Sequence, residues 1–128
     1  MAYLFIVEGR SVFPNPETLL IQPYKGIWDR DVTEEKEVAL EELTYIEFMA
    51  SMKKTNPFRQ YPEKEKPERI KNEVITIEDW EADELVLQGV YKLVELQRKA
   101  STTYGYYIAA KTAAENMQVF FMDVDVTS

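Results

Sequence analysis

Cysteine and histidine are both missing from this 128-residue chain, and their absence excludes several kinds of site. Without cysteine no disulfide can form, which favours an intracellular origin. Without histidine, neither a Ser-His-Asp nor a Cys-His nucleophile system can be built within the chain. Zinc and most transition metals also lose their two favoured side-chain ligands. We therefore expect no metal and no cofactor, and any acid–base chemistry would rest on Asp, Glu, Lys or Tyr.

Glycine is scarce and no apolar run is long. The four glycines, Gly9, Gly26, Gly89 and Gly105, stand singly, so the chain has no glycine-rich phosphate loop. No apolar run reaches the roughly 18 residues that are needed to cross a bilayer. The apolar run at residues 2–7 follows no basic region, and it predicts a strand rather than a signal peptide. From these absences we expect a protein that is not an enzyme and does not enter a membrane.

Charge is present in quantity and is unevenly distributed. The net charge is −8, residues 29–50 carry eight acids and two bases, and residues 73–95 carry seven acids and one base. Between them, residues 51–72 carry seven bases and three acids. A negative–positive–negative order can fold back on itself or pair between subunits, although solvated helix faces also produce it. Because phosphate binding needs clustered Lys and Arg, the acidic total argues against direct binding of nucleic acid.

The N-terminal part of the chain has strand signals. An apolar fraction of 45% and a length of 128 residues suit one domain, residues 1–128, with one core. Residues 2–7 are rich in β-branched and aromatic side chains, "EGR" predicts a turn, and "TLLIQ" at residues 18–22 reads as another short strand. We therefore expect residues 1–28 to form a small β element, either a hairpin or a meander.

The rest of the chain has helical periodicity. Apolar residues recur at helical spacing from about 33 to 54, and Asp31 or Thr33 can cap that first helix. A proline-rich connection follows at residues 55–69. Further helices are expected over 67–122: a short one at 67–74, a third from Asp83 to about 99, and a fourth beginning at 101–103. Gly89 lies on the inner side of the third helix and would allow a close crossing. The expected fold is mainly α with a small N-terminal β element, that is, α+β with three to four helices.

The proline-rich stretch "TNPFRQYPEKEKPERI", residues 55–70, is the first candidate for an interaction site. It holds Phe58, Arg59 and Tyr61 in a polar segment that three prolines stiffen, and stiffening lowers the entropy lost on ordering. One hypothesis is that both rings cover the domain's own helices. The other is that one ring, together with Arg59 and nearby lysines, docks on an acidic helix face of a neighbouring subunit, within residues 29–50 or 73–95.

The C-terminal stretch "VFFMDVDVTS" is the second candidate. Phe120 and Phe121 end the last helical stripe, and the alternation at residues 122–126 has the period of a strand. Either the natural chain continues past Ser128 or this end pairs with something, since an exposed strand can add to a sheet edge. The D-x-D spacing of Asp123 and Asp125 is too short to indicate a calcium loop.

The order "PETLLIQPYKGIWDRD", "EEKEVALEELTYIEFMAS", "NPFRQYPEKEKPERI" resembles a pattern in small structural proteins of tailed bacteriophages. The similarity covers roughly residues 17–100 and includes Trp28 in its "W-x-RD" step, which makes this tryptophan a further interaction candidate. The resemblance implies a virion part, a head, neck or tail component, with self or other virion proteins as partners. It implies a location in the virion or the host cytoplasm, and it carries no catalytic residue.

Two functions of different classes follow from the sequence. The first is a non-enzymatic assembly protein that acts through protein–protein contacts in a symmetric assembly. The second is a small acidic inhibitor or adaptor that occupies a basic groove of a host nucleic-acid-binding protein. The first would associate through apolar surface, whereas the second would bind through exposed acids with a steep dependence on salt.

Overall fold

The computed structural model describes the backbone of residues 4–116 and the side-chain surroundings of residues 4–100. Over this range the protein is mainly helical with a small N-terminal β element, which confirms the predicted fold class. The elements are β1 (Phe5–Glu8), β2 (Ser11–Pro14), a 3₁₀ helix (Pro16–Leu20), α1 (Tyr24–Arg30), α2 (Glu37–Ala50), α3 (Lys66–Val74) and α4 (Glu84–Asn116). The chain divides into two compact units, Met1–Val94 and Glu95–Ser128. The prediction of one domain stays a prediction.

The two strands form an antiparallel hairpin. Glu8 pairs with Ser11 across a two-residue turn, and Gly9 at the first turn position has φ 65°, a conformation that favours glycine in a type II′ turn. Successive strand residues face opposite sides, so Phe5 is buried in the core while its neighbour Ile6 is exposed. Phe13, which is paired with Ile6 in the register, is also exposed.

The predicted β element at residues 1–28 is too long, because the structure ends it at Pro14. Residues 16–20 are a 3₁₀ helix, and Trp28 lies in α1. The prediction of a strand at "TLLIQ" was therefore wrong. Thr18 is fully buried and its hydroxyl donates to the Leu4 carbonyl, while the amide of Thr18 bonds back to Asn15. These hydrogen bonds take the place of strand pairing. In addition, the proline at the start of the 3₁₀ helix has no amide hydrogen to donate to a β-ladder.

Helix α2 lies at the centre of the Met1–Val94 unit. Residues 42–48 are buried without interruption, because α2 contacts β2, α1 and α3. Leu43, Ile46 and Phe48 are among the largest fully buried side chains. Burial on all sides explains why α2 lacks a clean polar face, and it requires its buried polar residues to find partners inside the protein.

Helix α2 is shorter than the predicted range of 33–54 at both ends. The N-cap position is Lys36, whose side chain makes no cap hydrogen bond. The two residues predicted as caps lie earlier in the chain and still accept amides of the first turn: Asp31 Oδ2 accepts the Ala39 amide at 2.7 Å, and Thr33 Oγ1 accepts the Glu37 amide at 3.1 Å. At the other end, the Asn56 amide donates to the carbonyls of Phe48 and Ser51, both at 3.0 Å. This side chain terminates the helix at Ala50 by satisfying its last carbonyls.

Helix α3 begins at Lys66, one residue before the predicted start at 67. The separate third and fourth helices that were predicted are a single helix, α4. The serine and threonines at 101–103 were interpreted as a cap, but inside a helix they cost only tenths of a kcal/mol each, and no proline interrupts the stretch. The close crossing at Gly89 is confirmed, since an added Cβ would lie 2.5 Å from Ile46 Cδ1.

Candidate protein-interaction site

The proline-rich stretch is fixed to the core by two side chains. Phe58 is 2% exposed, and its ring centroid lies 5.4 Å from that of Phe48 in α2. Asn56 is also buried; besides its two donated bonds to the end of α2, its Oδ1 accepts the Phe58 amide at 3.0 Å. The hypothesis that Phe58 covers the domain's own helices is therefore confirmed for this ring. The stretch is therefore anchored to the core through Asn56 and Phe58.

Tyr61 lies on the outer side of Phe58, and the two rings are in contact with each other and with two guanidinium groups. The two ring centroids are 5.5 Å apart and nearly perpendicular. The guanidinium of Arg69, from α3, lies 5.2 Å from the Tyr61 centroid, and that of Arg10, from the hairpin turn, lies 5.0 Å from the Phe58 centroid. Such cation–π contacts contribute about 0.5–1 kcal/mol at exposed sites. Tyr61 is 37% exposed, so its ring is oriented by its neighbours and still accessible.

Arg59 lies between these rings in sequence and is exposed. Among the residues that the structure describes, four cations of the basic segment (residues 51–72) have no ion pair: Lys54, Arg59, Lys64 and Lys66. Two acids of the segment, Glu63 and Glu68, also lack one. Three of these cations, Lys54, Arg59 and Lys64, are exposed, against the two exposed acids, so the surface of the segment keeps a small excess of positive charge.

Lys66 stands out within this segment. It is only 7% exposed, and no described residue offers its ammonium a hydrogen-bond acceptor. The other buried Thr, Asp, Glu, Ser and Asn side chains of the described range have hydrogen-bond or ion-pair partners, as buried polar groups normally do.

Most of the acidic residues, unlike these cations, have hydrogen-bond or ion-pair partners within the chain. The largest cluster joins α1, α2 and the start of α4. Arg30 donates to Asp83 at 2.7 Å and to Glu42 at 3.1 Å, and the Trp80 indole donates to Glu42 at 3.0 Å. Glu42 is 5% exposed. Asp83 also caps α4 by accepting the Val86 amide.

The pKa values of Asp83 and Arg30 are shifted chiefly by the hydrogen bonds between them. The hydrogen bond from Arg30 holds the pKa of Asp83 below its usual range, despite partial burial that opposes it. The Arg30 pKa is raised, chiefly by its hydrogen bond to Asp83. Each carboxylate accepts hydrogen bonds from donors of the chain itself, so the cluster joins α1, α2 and the start of α4. Over the described residues, no three acids gather as a metal site would require.

A second buried acid, Glu47, lies in the core beside α1. Burial raises its pKa, and the Lys53 ammonium at 3.5 Å opposes the rise. The nearby Tyr24 hydroxyl donates to the Gly89 carbonyl at 2.8 Å; burial, reinforced by the negative charge of Glu47, raises the Tyr24 pKa. Tyr24 therefore stays protonated and joins α1 to α4.

Trp28 is half-buried on α1 and has no described contact with Phe58, Arg59 or Tyr61, so the structure does not bring the four together. It lies beside the acidic turn (residues 33–37): the Lys36 ammonium is 5.5 Å from its ring centroid and donates to the Trp28 carbonyl at 2.9 Å. The predicted interaction residues Phe120 and Phe121 lie outside the described residues.

Three residues of the site were not identified from the sequence. Arg10 and Arg69 reach the rings from the hairpin turn and from α3, and no local pattern indicates such contacts. Asn56 did carry a signal, because asparagine before a proline often bonds to its own backbone in a turn. The structure shows that it also caps a helix, which depends on where α2 ends.

Within the described residues, no helix combines the length and apolarity required to cross a bilayer. Comparison with known proteins found no matching family model, no matching curated protein and no matching solved structure.

Proposed function

We propose that this protein is a non-enzymatic assembly component that acts through protein–protein contacts, as the resemblance to phage virion proteins implies. The observation that carries the proposal is the rigid presentation of Tyr61 and Arg59. Both belong to a segment that Phe58 and Asn56 fix to the core, while their own side chains are exposed. Tyrosine and arginine are enriched among the residues that dominate binding energy, and a segment that is already ordered loses little entropy on binding.

The outward face of the hairpin supports the same proposal. Ile6 and Phe13 are opposite each other in the register and are 46% and 41% exposed. An apolar pair on a two-stranded sheet can pack against another protein, and the open strand edges can pair with a further strand. Contact surfaces of this kind suit a protein that holds other subunits in a fixed arrangement.

The second candidate function is the acidic inhibitor or adaptor. It needs acids that are free to replace phosphates. In the structure most acids of residues 29–50 and 73–95 are bound within the chain: Asp29 by Lys25, Glu41 by Thr76, Glu47 by Lys53, Glu73 by Arg10 and Glu81 by Lys71. Since these acids have internal partners, the assembly role is the better supported of the two.

Sedimentation equilibrium of the purified full chain over a wide range of concentration tests the proposal. We expect association beyond the monomer, or binding to another component when the protein is mixed with disassembled virions of its source. Mass spectrometry of purified particles should then detect the chain at a fixed copy number. A monomer at all concentrations that is absent from particles, but binds a nucleic-acid-binding protein in a salt-sensitive manner, would favour the inhibitor function instead.

A further inference from the structure

We propose that the basic segment of one copy binds the acidic turn of a second copy, with Arg59 and Tyr61 against Glu34, Glu35 and Glu37. This inference rests on the assembly role proposed above and specifies the partner and the two surfaces. The basic segment is residues 51–72 and the acidic turn is residues 33–37, as defined above.

The structure restricts which acids are available to a partner. In residues 29–50, the acids outside the acidic turn have hydrogen-bond or ion-pair partners inside the chain. Glu34, Glu35 and Glu37 are exposed, and no cation among the described residues pairs with any of them. The stretch 73–95 is a weaker choice, because among the described residues it has only two exposed acids without a hydrogen-bond or ion-pair partner, Glu78 and Asp79, against three in the acidic turn.

The acidic turn is held in a fixed shape. Lys36 has a left-handed backbone, with φ 57°, and its ammonium donates to the carbonyls of Trp28 and Asp31 at 2.9 and 2.7 Å. The lysine is therefore turned inward, onto the body of the protein. The Thr33 amide is bound by Asp31 Oδ1 at 2.9 Å. Three glutamates consequently stand on a defined backbone next to the half-buried ring of Trp28.

The basic segment has the complementary properties. Its exposed Arg59 has no ion pair among the described residues, and neither have the exposed Lys54 and Lys64 of the same segment. Tyr61 supplies an exposed ring on a stiff backbone. An arginine can bind a carboxylate through two parallel N–H bonds, and complementary charge patches favour encounter and fix the relative orientation of partners.

The two surfaces are different parts of the chain, which has a consequence for symmetry. A contact between unlike surfaces can repeat from copy to copy and generate a ring or a filament, whereas a self-complementary patch closes at a dimer. A repeating contact of this kind can build symmetric rings of more than two copies.

Charge reversal on each surface tests the inference. The probe is the full chain itself, studied by sedimentation equilibrium at 50 and 500 mM NaCl. We expect Arg59→Glu, and separately Glu34→Lys with Glu35→Lys, to weaken self-association at low salt about tenfold or more. The chain that carries all three changes should recover most of the affinity, and so should an equimolar mixture of the two variants. Glu17→Lys, an exposed change outside both surfaces, is the control and should have little effect.

Thermal melts of each variant check that folding is intact, and the mixture keeps the test valid if the triple variant fails to fold. If the wild type associates but the reversals leave its affinity unchanged, or the mixture shows no recovery, this contact is wrong and the assembly role stands. If the wild type remains a monomer at both salt concentrations, this contact is wrong as well. The assembly role then rests on its binding to other particle components, which is measured separately.

Discussion

The cluster around Glu42 and the basic segment around Arg59 both contain charged and aromatic residues. The charges of the cluster are paired within the chain, whereas Arg59 is exposed. Arg30 points inward to Glu42 and Asp83, and the Trp80 indole completes the bonding of Glu42. Arg59 points outward, although the ring beside it in sequence, Phe58, is buried. The comparison teaches that residue type does not decide between a structural and a binding role. The decisive property is whether the chain itself supplies a partner.

The largest expected effect lies in the buried part of the basic segment. Phe58→Ala should destabilise the fold by about 3–5 kcal/mol, because it removes a fully buried ring and leaves a cavity against Phe48. Urea denaturation followed by circular dichroism measures this loss. Tyr61→Ala is the matched control, since that ring is 37% exposed and should cost clearly less. Equal losses for the two variants would contradict the division into an inner and an outer ring.

The cluster around Glu42 should be nearly as sensitive. Glu42→Ala should cost about 2–4 kcal/mol, because it leaves the Trp80 indole without its acceptor and Arg30 with one partner fewer. Glu42→Gln keeps an oxygen for the indole and should cost less. The same urea titration compares the two variants. A Glu42→Ala variant as stable as the wild type would show that the cluster does not hold α1, α2 and α4 together.

The buried acid Glu47 should make the stability of the fold depend on pH. Because burial raises its pKa in the folded state, the folded protein holds this proton more tightly than the unfolded chain does. The contribution of Glu47 to stability therefore falls as pH rises from its unfolded pKa of about 4.5 through the raised folded value. Glu47→Gln removes this loss, so its stability relative to the wild type should increase with pH over that window and then level off.

Urea titrations from pH 2 to pH 8 measure the difference between Glu47→Gln and the wild type, and the lower end of this range includes the window in which Asp31 titrates. Asp31→Asn is the control of opposite sign. Burial opposes ionisation of Asp31, but its backbone hydrogen bonds from Ala39 and Thr33 outweigh burial and lower its pKa. Its contribution to stability is thus lost as pH falls through the lowered folded value. Parallel pH profiles for the two variants would contradict these assignments.

The smallest expected effect on stability is that of Arg59→Glu. An exposed charge without a partner contributes about 0–1 kcal/mol, so the melting temperature should hardly change. The matched variant is Arg30→Glu, which makes the same chemical change inside the cluster and places a third carboxylate beside Glu42 and Asp83. It should cost about 1–3 kcal/mol, because only the Glu42 carboxylate of this cluster is buried and loses its cationic partner. Similar melting temperatures for the two variants would remove the distinction between inward and outward charge.

The sequence by itself determined the secondary structure that depends on local patterns. Helical spacing of apolar residues identified α2 and the inner face of α4, turn signals identified the hairpin, and the caps Asp31 and Thr33 were recognised from their side-chain chemistry. It also placed Gly89 at a close crossing, because a glycine on the apolar side of a helix has few other reasons to be there. These features follow from residues that are near each other in the chain.

Only the tertiary structure decided where the elements end and which charges face outward. Asn56 terminates α2 by reaching back eight residues to Phe48, and the bond from Thr18 to Leu4 spans fourteen residues and replaces a strand by a 3₁₀ helix. The contact between Arg30 and Asp83 joins residues 53 positions apart. Such contacts depend on how the helices pack, which composition and spacing do not encode. For this reason the sequence showed that acidic and basic segments alternate along the chain, while the fold determined that Glu42 is bound inside and that Arg59 is exposed.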